Sequence, residues 1–377
     1  MTVIMKKLII FTSIITSVFC ALGGLTNGVL EALKKDKVEY LKISYGFMFG
    51  KMTLEDAKKL ALALRNNEKL KEFVLDNAVI SDEVAEVLAE GFRKNTAMVG
   101  FALTYTSIIG VLIPISPEGL EKIMGALVGK VSSLEILKLE NCWMGAAGAA
   151  KVAGALKASS LLRSLNLPLN GIGDTGAAEI REALMNPNSK LEVLDLAAND
   201  IGAAGVAKIV DALKVSISLR FLDLSYNKIG VVGAAKLGEA LMNPDLKLEV
   251  LELVANDIGD IGAAKVADGL KVSKSLRFLN LSYNGIGAAG AAEIGEALKV
   301  NSTLGFLNLS YNRIGDTGAV NIGEALKVNT TLVNLGFGGN RIGPKGAANI
   351  GKALIVNTSL ESLGLCSNRI QKKGLKG

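Results

Sequence analysis

The chain has 377 residues, of which half are hydrophobic and only 5% are aromatic, and its formal net charge is +6. It contains no histidine, which excludes mechanisms that need a histidine base and removes the commonest metal ligand. Three cysteines are too few for a disulfide framework. The small positive excess is spread along the chain, so we predict no nucleic-acid partner.

Residues 1–23 have the layout of a secretory signal peptide. A pair of lysines precedes the uncharged apolar run Leu8–Leu22, and Ala21 and Gly23 supply the small residues that a cleavage site needs. We therefore predict a secreted or extracytoplasmic protein. Two alternatives remain: an uncleaved anchor, which would attach the chain to a membrane, and a buried first helix of a cytoplasmic protein.

Residues 24–133 contain a weak alternation of helix and strand patterns. The helical pattern Val29–Leu33 is followed by strands whose apolar spacing is typical of burial on one face. The corners of these units lack the asparagine found later in the chain, so we expect degenerate repeats that cap the array. The strand patterns are Val38-Leu41-Ile43, Leu70-Phe73-Leu75 and Met98-Phe101-Leu103.

An apolar insertion near residues 106–116 interrupts these degenerate repeats. Its uncharged centre, Ile108–Ile115, lies in a run long enough to be considered as a membrane span. We favour a buried strand and an apolar surface loop, because Ser116 and Pro117 form a helix start directly after it. If exposed, such a loop would attach the protein to a partner or to a membrane.

Residues 134–377 repeat one unit of 28 or 29 residues. Each unit begins with Leu-x-x-Leu-x-Leu-x-x, turns at a glycine-rich corner and continues with apolar residues at helical spacing. One unit cannot bury its own apolar face, so we predict a stacked α/β solenoid in which the corner amides form a hydrogen-bonded ladder. The corner residues are Cys142 and then Asn170, Asn199, Asn227, Asn256, Asn284, Asn312, Asn340 and Asn368.

These nine units resemble leucine-rich repeats of the ribonuclease-inhibitor type, and they are also similar to the repeat domains of NOD-like receptors and Ran GTPase-activating protein. The resemblance implies a horseshoe-shaped solenoid with an inner parallel β-sheet and outer helices. It also implies that the concave face binds a protein partner and that the chain is not an enzyme.

Two corners match the dinucleotide fingerprint Gly-x-Gly-x-x-Gly, namely Gly171–Gly176 and Gly285–Gly290. Other units replace the first glycine by Asp200, Lys228 or Arg313 and keep the rest of the corner. A phosphate site needs that first glycine, whereas a repeat corner needs only the later two. We therefore predict that the match is accidental, and we predict no cofactor, no metal site and no catalytic residue.

Residues between the strand leucines should face solvent on the concave side of the sheet. They form an apolar stripe beside an acidic row, and exposed aromatic residues flanked by charge are typical of binding hot spots. Duplication of units, or packing between strands, would give the same pattern. The candidate partner-binding residues are Phe221, Phe278, Phe306, Val250, Asp195, Asp223, Glu252, Asn280, Asn308, Tyr226, Tyr283 and Tyr311.

The sequence therefore predicts a monomeric protein-binding module whose acidic row selects a basic partner. Because Ran GTPase-activating proteins use the same repeat type, one alternative is a regulator of a small GTPase, although a secretory signal would place the chain in the wrong compartment. A second alternative is a membrane- or surface-associated scaffold, held by Leu8–Leu22 or Ile108–Ile115.

Overall fold

A computed structural model describes two compact units, residues 1–144 and residues 145–377. Both alternate parallel strands with helices, as the sequence predicts. The division between the units falls just after the strand that contains Leu137, whereas the sequence pattern becomes regular at Leu134. The residues that the structure describes are 17–20, 27–45, 50–105, 115–127 and 134–370.

The described part of unit 1 forms a parallel sheet with helices between its strands. The sheet order is β1 (Ser17–Cys20), β2 (Tyr40–Ser44), β4 (Glu72–Asp76), β6 (Gly100–Thr104) and β7 (Ile136–Glu140). Two short strands, β3 (Gly50–Lys51) and β5 (Ala78–Val79), pair separately. The helices are α1 (Asn27–Lys34), α2 (Leu54–Arg65), α3 (Asp82–Lys94) and α4 (Pro117–Leu127).

The strand patterns predicted for the degenerate repeats fall on strands of unit 1. The predicted strand patterns coincide with β2, β4 and β6, and their central apolar residues Leu41, Phe73 and Phe101 are buried. The helix start predicted at Pro117 is the first residue of α4. Ser116 Oγ accepts a hydrogen bond of 2.9 Å from the Gly119 N–H and so caps this helix.

Most of the predicted signal segment and insertion lies outside the described residues. Within the signal segment, Ser17–Cys20 form β1, which pairs in parallel with Tyr40–Ile43 of β2; no interpretation of this segment included a strand. Of the insertion, Ile115 is buried and forms a parallel bridge with Ile80, which supports a buried strand at that residue. Cleavage of the signal and anchoring to a membrane stay predictions.

The described part of unit 2 stacks regular strand and helix pairs, and each strand is parallel to the next. The strands are β8 (Ser164–Asn166), β9 (Val193–Asp195), β10 (Phe221–Asp223), β11 (Val250–Glu252), β12 (Phe278–Asn280), β13 (Phe306–Asn308), β14 (Asn334–Gly336) and β15 (Ser362–Gly364). The helices are α5 (Gly145–Ala158), α6 (Gly173–Leu184), α7 (Ala203–Leu213), α8 (Gly230–Leu241), α9 (Gly259–Val272), α10 (Ala288–Val300), α11 (Gly315–Leu326) and α12 (Pro344–Leu354).

The core of unit 2 lies between the sheet and the helices. Leu279 of β12 lies directly beside Leu307 of β13 in the sheet, and both side chains are at most 1% exposed. Burial of one such leucine stabilises the fold by about 2 kcal/mol. Gly290 in α10 is required for close packing, because a Cβ there would lie 2.8 Å from the Ile286 side chain. The inward leucines thus fix which residues of each strand face outward.

The corner asparagines form the predicted ladder. The Asn284 N–H donates to Asn312 Oδ1 of the next unit at 2.9 Å, and Asn284 Nδ2 donates to the Leu253 carbonyl of the preceding unit at 2.7 Å. Asn170, Asn199, Asn227 and Asn256 make the same backbone bond to the next asparagine. Buried backbone groups are satisfied between units, so these asparagines belong to the scaffold.

A second asparagine ladder, which the sequence analysis missed, connects the ends of the helices. Nδ2 of Asn329 donates to the Leu298 carbonyl at 2.7 Å, and Nδ2 of Asn357 donates to the Leu326 carbonyl at 2.7 Å. Asn301 bonds the Leu270 carbonyl in the same way. Each bond satisfies a carbonyl group near the C-terminal end of a helix, where carbonyl groups lack a partner within the helix.

Candidate protein-binding face

Five neighbouring strands, β9 to β13, bring the predicted partner-binding residues together in columns. Because the strands are parallel and in register, Phe221 lies beside Val250, Val250 beside Phe278, and Phe278 beside Phe306. Asp223 likewise lies between Asp195 and Glu252. We call Phe221, Val250, Phe278 and Phe306 the aromatic column, Asp195, Asp223 and Glu252 the acidic row, and Tyr226, Tyr283 and Tyr311 the tyrosine set.

The aromatic column is accessible only at one end. The rings of Phe278 and Phe306 stack with centroids 4.1 Å apart and planes 6° apart, and both side chains are half-buried. Phe221 and Val250 are 7% and 8% exposed. The prediction that the whole stripe is exposed is therefore wrong for these two residues, because large side chains on strands about 5 Å apart cover one another. Phe278 and Phe306 remain as the accessible part of the aromatic column.

The acidic row places carboxylates on three successive strands. Asp195 Oδ1 accepts a hydrogen bond from the Ala197 N–H at 2.9 Å, and Asp223 Oδ1 accepts one from the Ser225 N–H at 2.7 Å. Within the described part of the chain, neither Asp223 nor Glu252 forms an ion pair. Neighbouring like charges at this spacing repel each other.

Two carboxylates of the acidic row have raised pKa values, mainly because they are buried. Burial raises the pKa of Glu252 to about 7, with further contributions from the charges of Asp223 and Asp195, although a hydrogen bond with Asn280 lowers it. Burial also raises the pKa of Asp223, while its hydrogen bonds with Ser225 lower it. A cation on this row would favour the ionised carboxylates, so the row is suited to bind positive charge.

The tyrosine set lies at the ends of the strands, one residue before the corner asparagine. Tyr226, Tyr283 and Tyr311 are 61%, 51% and 47% exposed. The rings of Tyr283 and Tyr311 stack with centroids 4.4 Å apart. All three have positive φ, but Ala198 and Ala255 share this conformation at the equivalent position, so it is a property of the corner and not of the tyrosines.

Asn280 and Asn308 continue the acidic row as neutral side chains. Asn280 Oδ1 accepts a hydrogen bond from the Ser282 N–H at 3.1 Å, and Asn308 Oδ1 accepts one from the Ser310 N–H at 3.0 Å. The same bond is made by the aspartates of the row. One oxygen of each side chain is therefore structural, and the rest of the group faces the surface.

Charged residues immediately before the strands also alternate in sign, which the sequence analysis did not assign to the site. Arg163 pairs with Glu192, and Arg220 Nε lies 3.7 Å from a Glu249 carboxylate oxygen. Arg277 follows one unit later and is exposed. Arg163, Arg220 and Arg277 are each 57 residues apart, which is the length of two repeats. This spacing in the sequence could have revealed the alternation.

The two corners that match a dinucleotide fingerprint are internal to the repeat array. In the second, the N–H groups of Gly287 and Gly290 both donate to Asp260 Oδ1, each at 2.7 Å. A carboxylate of the preceding unit therefore occupies the N–H groups that a phosphate would need. In the first, a Cβ at Gly176 would lie 2.4 Å from the Ile172 side chain, so packing explains that glycine.

The described residues offer neither a metal site nor a membrane-spanning helix. They contain no group of three or more cysteine, aspartate or glutamate side chains that could hold a metal ion. They also contain no helix that is long and apolar enough to cross a membrane.

The repeats match the family model described as leucine-rich repeat. The matched stretches are residues 158–180, 188–210, 215–238, 246–267, 272–295, 300–323 and 328–351, all in unit 2. Each stretch begins near the end of one helix and continues through the strand, corner and following helix. The family model therefore describes the same unit that the structure stacks.

Among curated proteins, ribonuclease inhibitor of Sus scrofa is 28% identical over 45% of this chain and 28% of its own length. The NACHT, LRR and PYD domains-containing protein 4E of Mus musculus is 28% identical over 33% of this chain and 12% of its own length. The chain thus spans about a quarter or less of these relatives. A structure of leiomodin-1 actin-binding site 2 is 20% identical over 44% of this chain and 90% of that chain, with a TM-score of 0.34. The protein described here is a leucine-rich repeat protein, similar to ribonuclease inhibitor and to NACHT, LRR and PYD domains-containing proteins.

Proposed function

We propose that unit 2 is a non-enzymatic module that binds a basic protein through the acidic row and the aromatic residues beside it. The observation that supports this most strongly is the acidic row itself. Asp223 and Glu252 are crowded together without a cation in the described part of the chain, and burial raises the pKa of both. A lysine or arginine of a partner would relieve this repulsion.

The aromatic neighbours extend the same chemistry. The stacked rings of Phe278 and Phe306 present an apolar surface next to Glu252, because β12 is adjacent to β11. The exposed tyrosine rings can place their faces against a cation, which gives about 0.5–1 kcal/mol at an exposed site. Carboxylates and aromatic rings on one face fit a segment that alternates basic and apolar side chains.

Similarity to ribonuclease inhibitor suggests the first protein to test. The name of that relative states that it inhibits ribonuclease, and the matched region lies within the repeats. A basic ribonuclease is therefore a suitable probe, together with a rhodamine-labelled lysine-rich peptide that tests the charge requirement alone.

The experiment compares two variants that remove the same number of negative charges. The first combines Asp195→Asn, Asp223→Asn and Glu252→Gln. The matched control combines Glu83→Gln, Glu90→Gln and Asp245→Asn, which are exposed and form no ion pair within the described residues. We expect the first variant to bind the lysine-rich peptide at least about tenfold more weakly than the control, measured by fluorescence anisotropy. Equal weakening by both variants would contradict the proposal.

A further inference from the structure

Three arginines lie in the corners of the last described repeats of unit 2. Arg313, Arg341 and Arg369 each follow a corner asparagine, 28 residues apart, and all three are exposed. Corners of a parallel array are about 5 Å apart, so three guanidinium groups occupy about 10 Å. We call these residues the arginine row.

Several other cations of the described residues are neutralised by a nearby carboxylate, whereas the arginine row is not. Lys299 pairs with Glu296 at 2.6 Å, and Lys327 pairs with Glu324 at 2.7 Å, so these helix lysines are neutralised locally. At the corner position itself, Lys228 pairs with Asp200 at 2.7 Å. Among the described residues, no ion pair involves the side chains of the arginine row. Planar guanidinium groups are well suited to bind carboxylates in pairs.

The acidic row and the arginine row both belong to unit 2. The acidic row lies on strands, and the arginine row lies in the corners that follow later strands. The acidic row ends at Glu252 on β11, and the arginine row begins at Arg313, in the corner that follows β13. From Asp223 on β10 to Arg341 in the corner after β14 there are four strand steps, which separate the two residues by about 20 Å along the stacking direction alone. An extended chain covers this distance with about six residues. The surface therefore changes sign along the direction in which the strands stack.

We infer that the partner of unit 2 is a protein segment with two charge blocks, a basic block on the acidic row and an acidic block on the arginine row. This inference rests on the proposed function, because the basic block uses the same acidic row. A nucleic acid fits the surface poorly, because its phosphates would approach Asp223 and Glu252 with like charge. A protein segment can change sign within the required distance.

Two blocks on one segment should bind more tightly than one. Once the basic block is bound, the acidic block is held close to the arginine row at a high effective concentration. Two labelled peptides and one labelled oligonucleotide test this directly. The first peptide is a lysine block followed by a six-residue glycine-serine spacer and a glutamate block, and the second has glutamines in place of the glutamates. The oligonucleotide is a single-stranded oligothymidine. All carry the same rhodamine label.

We expect the lysine–glutamate peptide to bind wild-type protein at least about tenfold more tightly than the lysine–glutamine peptide. The combined Arg313→Gln, Arg341→Gln and Arg369→Gln variant should lose this advantage and keep its affinity for the lysine–glutamine peptide. A control that combines Lys58→Gln, Lys208→Gln and Lys352→Gln removes the same charge from exposed helix positions and should keep the advantage. Circular dichroism establishes that each variant is folded.

Three results would overturn the inference: no advantage of the glutamate block in wild-type protein, an advantage that survives in the arginine variant, or an oligothymidine that binds more tightly than the lysine–glutamate peptide. Failure of the proposed function looks different. In that case the lysine–glutamine peptide would not bind, or its binding would not change when the acidic row is neutralised.

Discussion

Glu252 on β11 lies directly beside Asp223 on β10, and the charge of Asp223 contributes to the raised pKa of Glu252. Folding therefore brings together two carboxylates that an unfolded chain keeps apart. We expect this arrangement to weaken the fold at neutral pH and to favour the binding of positive charge. Such a cost is common at functional surfaces, where stability and activity compete.

The first prediction concerns the pH dependence of stability. The pKa of Glu252 is 4.5 in its ordinary state and about 7 in the folded protein. The folded state thus holds this proton more tightly than the unfolded state, so the free energy of unfolding should decrease as pH rises through this interval and then level off. Glu252→Gln should remove about 1–3 kcal/mol of this decrease, measured by urea unfolding at several pH values.

The same variant tests the effect of pH on binding. In wild-type protein the affinity for the lysine-rich peptide should increase between pH 6 and pH 8, as Glu252 loses its proton beside Asp223 and Asp195. In Glu252→Gln this increase should be smaller. Identical pH profiles for the two proteins, in both stability and binding, would show that Glu252 does not titrate in this range.

A second prediction concerns the corner ladder. Asn284→Ala removes the acceptor of the Asn256 N–H and the donor to the Leu253 carbonyl, and both groups are buried. Unpaired buried groups of this kind should lower the free energy of unfolding by about 3 kcal/mol. Asn308→Ala is the matched control, because Asn308 is half-buried at the surface, and it should cost less than about 1 kcal/mol. Chemical unfolding of the two variants compares them, and equal losses would contradict the assignment.

A third prediction concerns the aspartate that joins successive corners. Asp260 Oδ1 accepts both the Gly287 and the Gly290 N–H at the start of α10. Asp260→Ala should therefore destabilise unit 2 by about 1–2 kcal/mol, as loss of a helix cap does. Asp257→Asn, at an exposed corner position nearby with positive φ, keeps a side chain that tolerates this backbone conformation and should change stability by less than about 0.5 kcal/mol. A smaller loss for Asp260→Ala than for Asp257→Asn would refute this role.

A fourth prediction separates the tyrosine set from the scaffold. Gly339 occupies the position of Tyr311 one unit later, also with positive φ, so glycine fits this corner. The combined Tyr226→Gly, Tyr283→Gly and Tyr311→Gly variant should keep its circular dichroism spectrum and bind the lysine-rich peptide about threefold to thirtyfold more weakly. Unchanged binding by the folded variant would exclude the tyrosines from the site.

A fifth prediction follows from the N-terminal segment. If residues 1–23 are a cleaved signal peptide, the mature chain begins after Gly23 and lacks β1, which pairs with β2. N-terminal sequencing of protein secreted from expressing cells should then start at Gly24. A mature chain that starts at Met1 and is recovered from the cytoplasm would favour the alternative in which the segment belongs to the fold.

Local spacing predicted the scaffold because each repeat encodes the same contacts. The leucines of Leu-x-x-Leu-x-Leu alternate along the strand, so their inward positions follow from the backbone geometry alone. The corner asparagines were assigned correctly, since an amide in a tight turn is the simplest partner for the unpaired groups of the next unit. Even the degenerate strands of unit 1 were identified, because their apolar spacing persists where the asparagine is absent.

Contacts between neighbouring repeats could not be predicted with the same success. The sequence shows that Phe221 is an outward residue, but its burial depends on which side chains lie beside it on β9 and β11. The helix-end ladder was missed, because Asn301 and Asn329 replace serines or prolines in other units and so show no fixed letter. The pKa of Glu252 likewise depends on its neighbours in space and not in sequence.

The most direct test of the central claim identifies the carboxylates that contact a bound cation. Carbodiimide joins a lysine amine to a carboxylate only when the two are in contact, and mass spectrometry locates each product. With the lysine-rich peptide, we expect cross-links to Asp195, Asp223 and Glu252 in unit 2. Equal yields on Glu83, Glu90 and Asp245, which are exposed outside the acidic row, would contradict the assignment of this face as the binding surface.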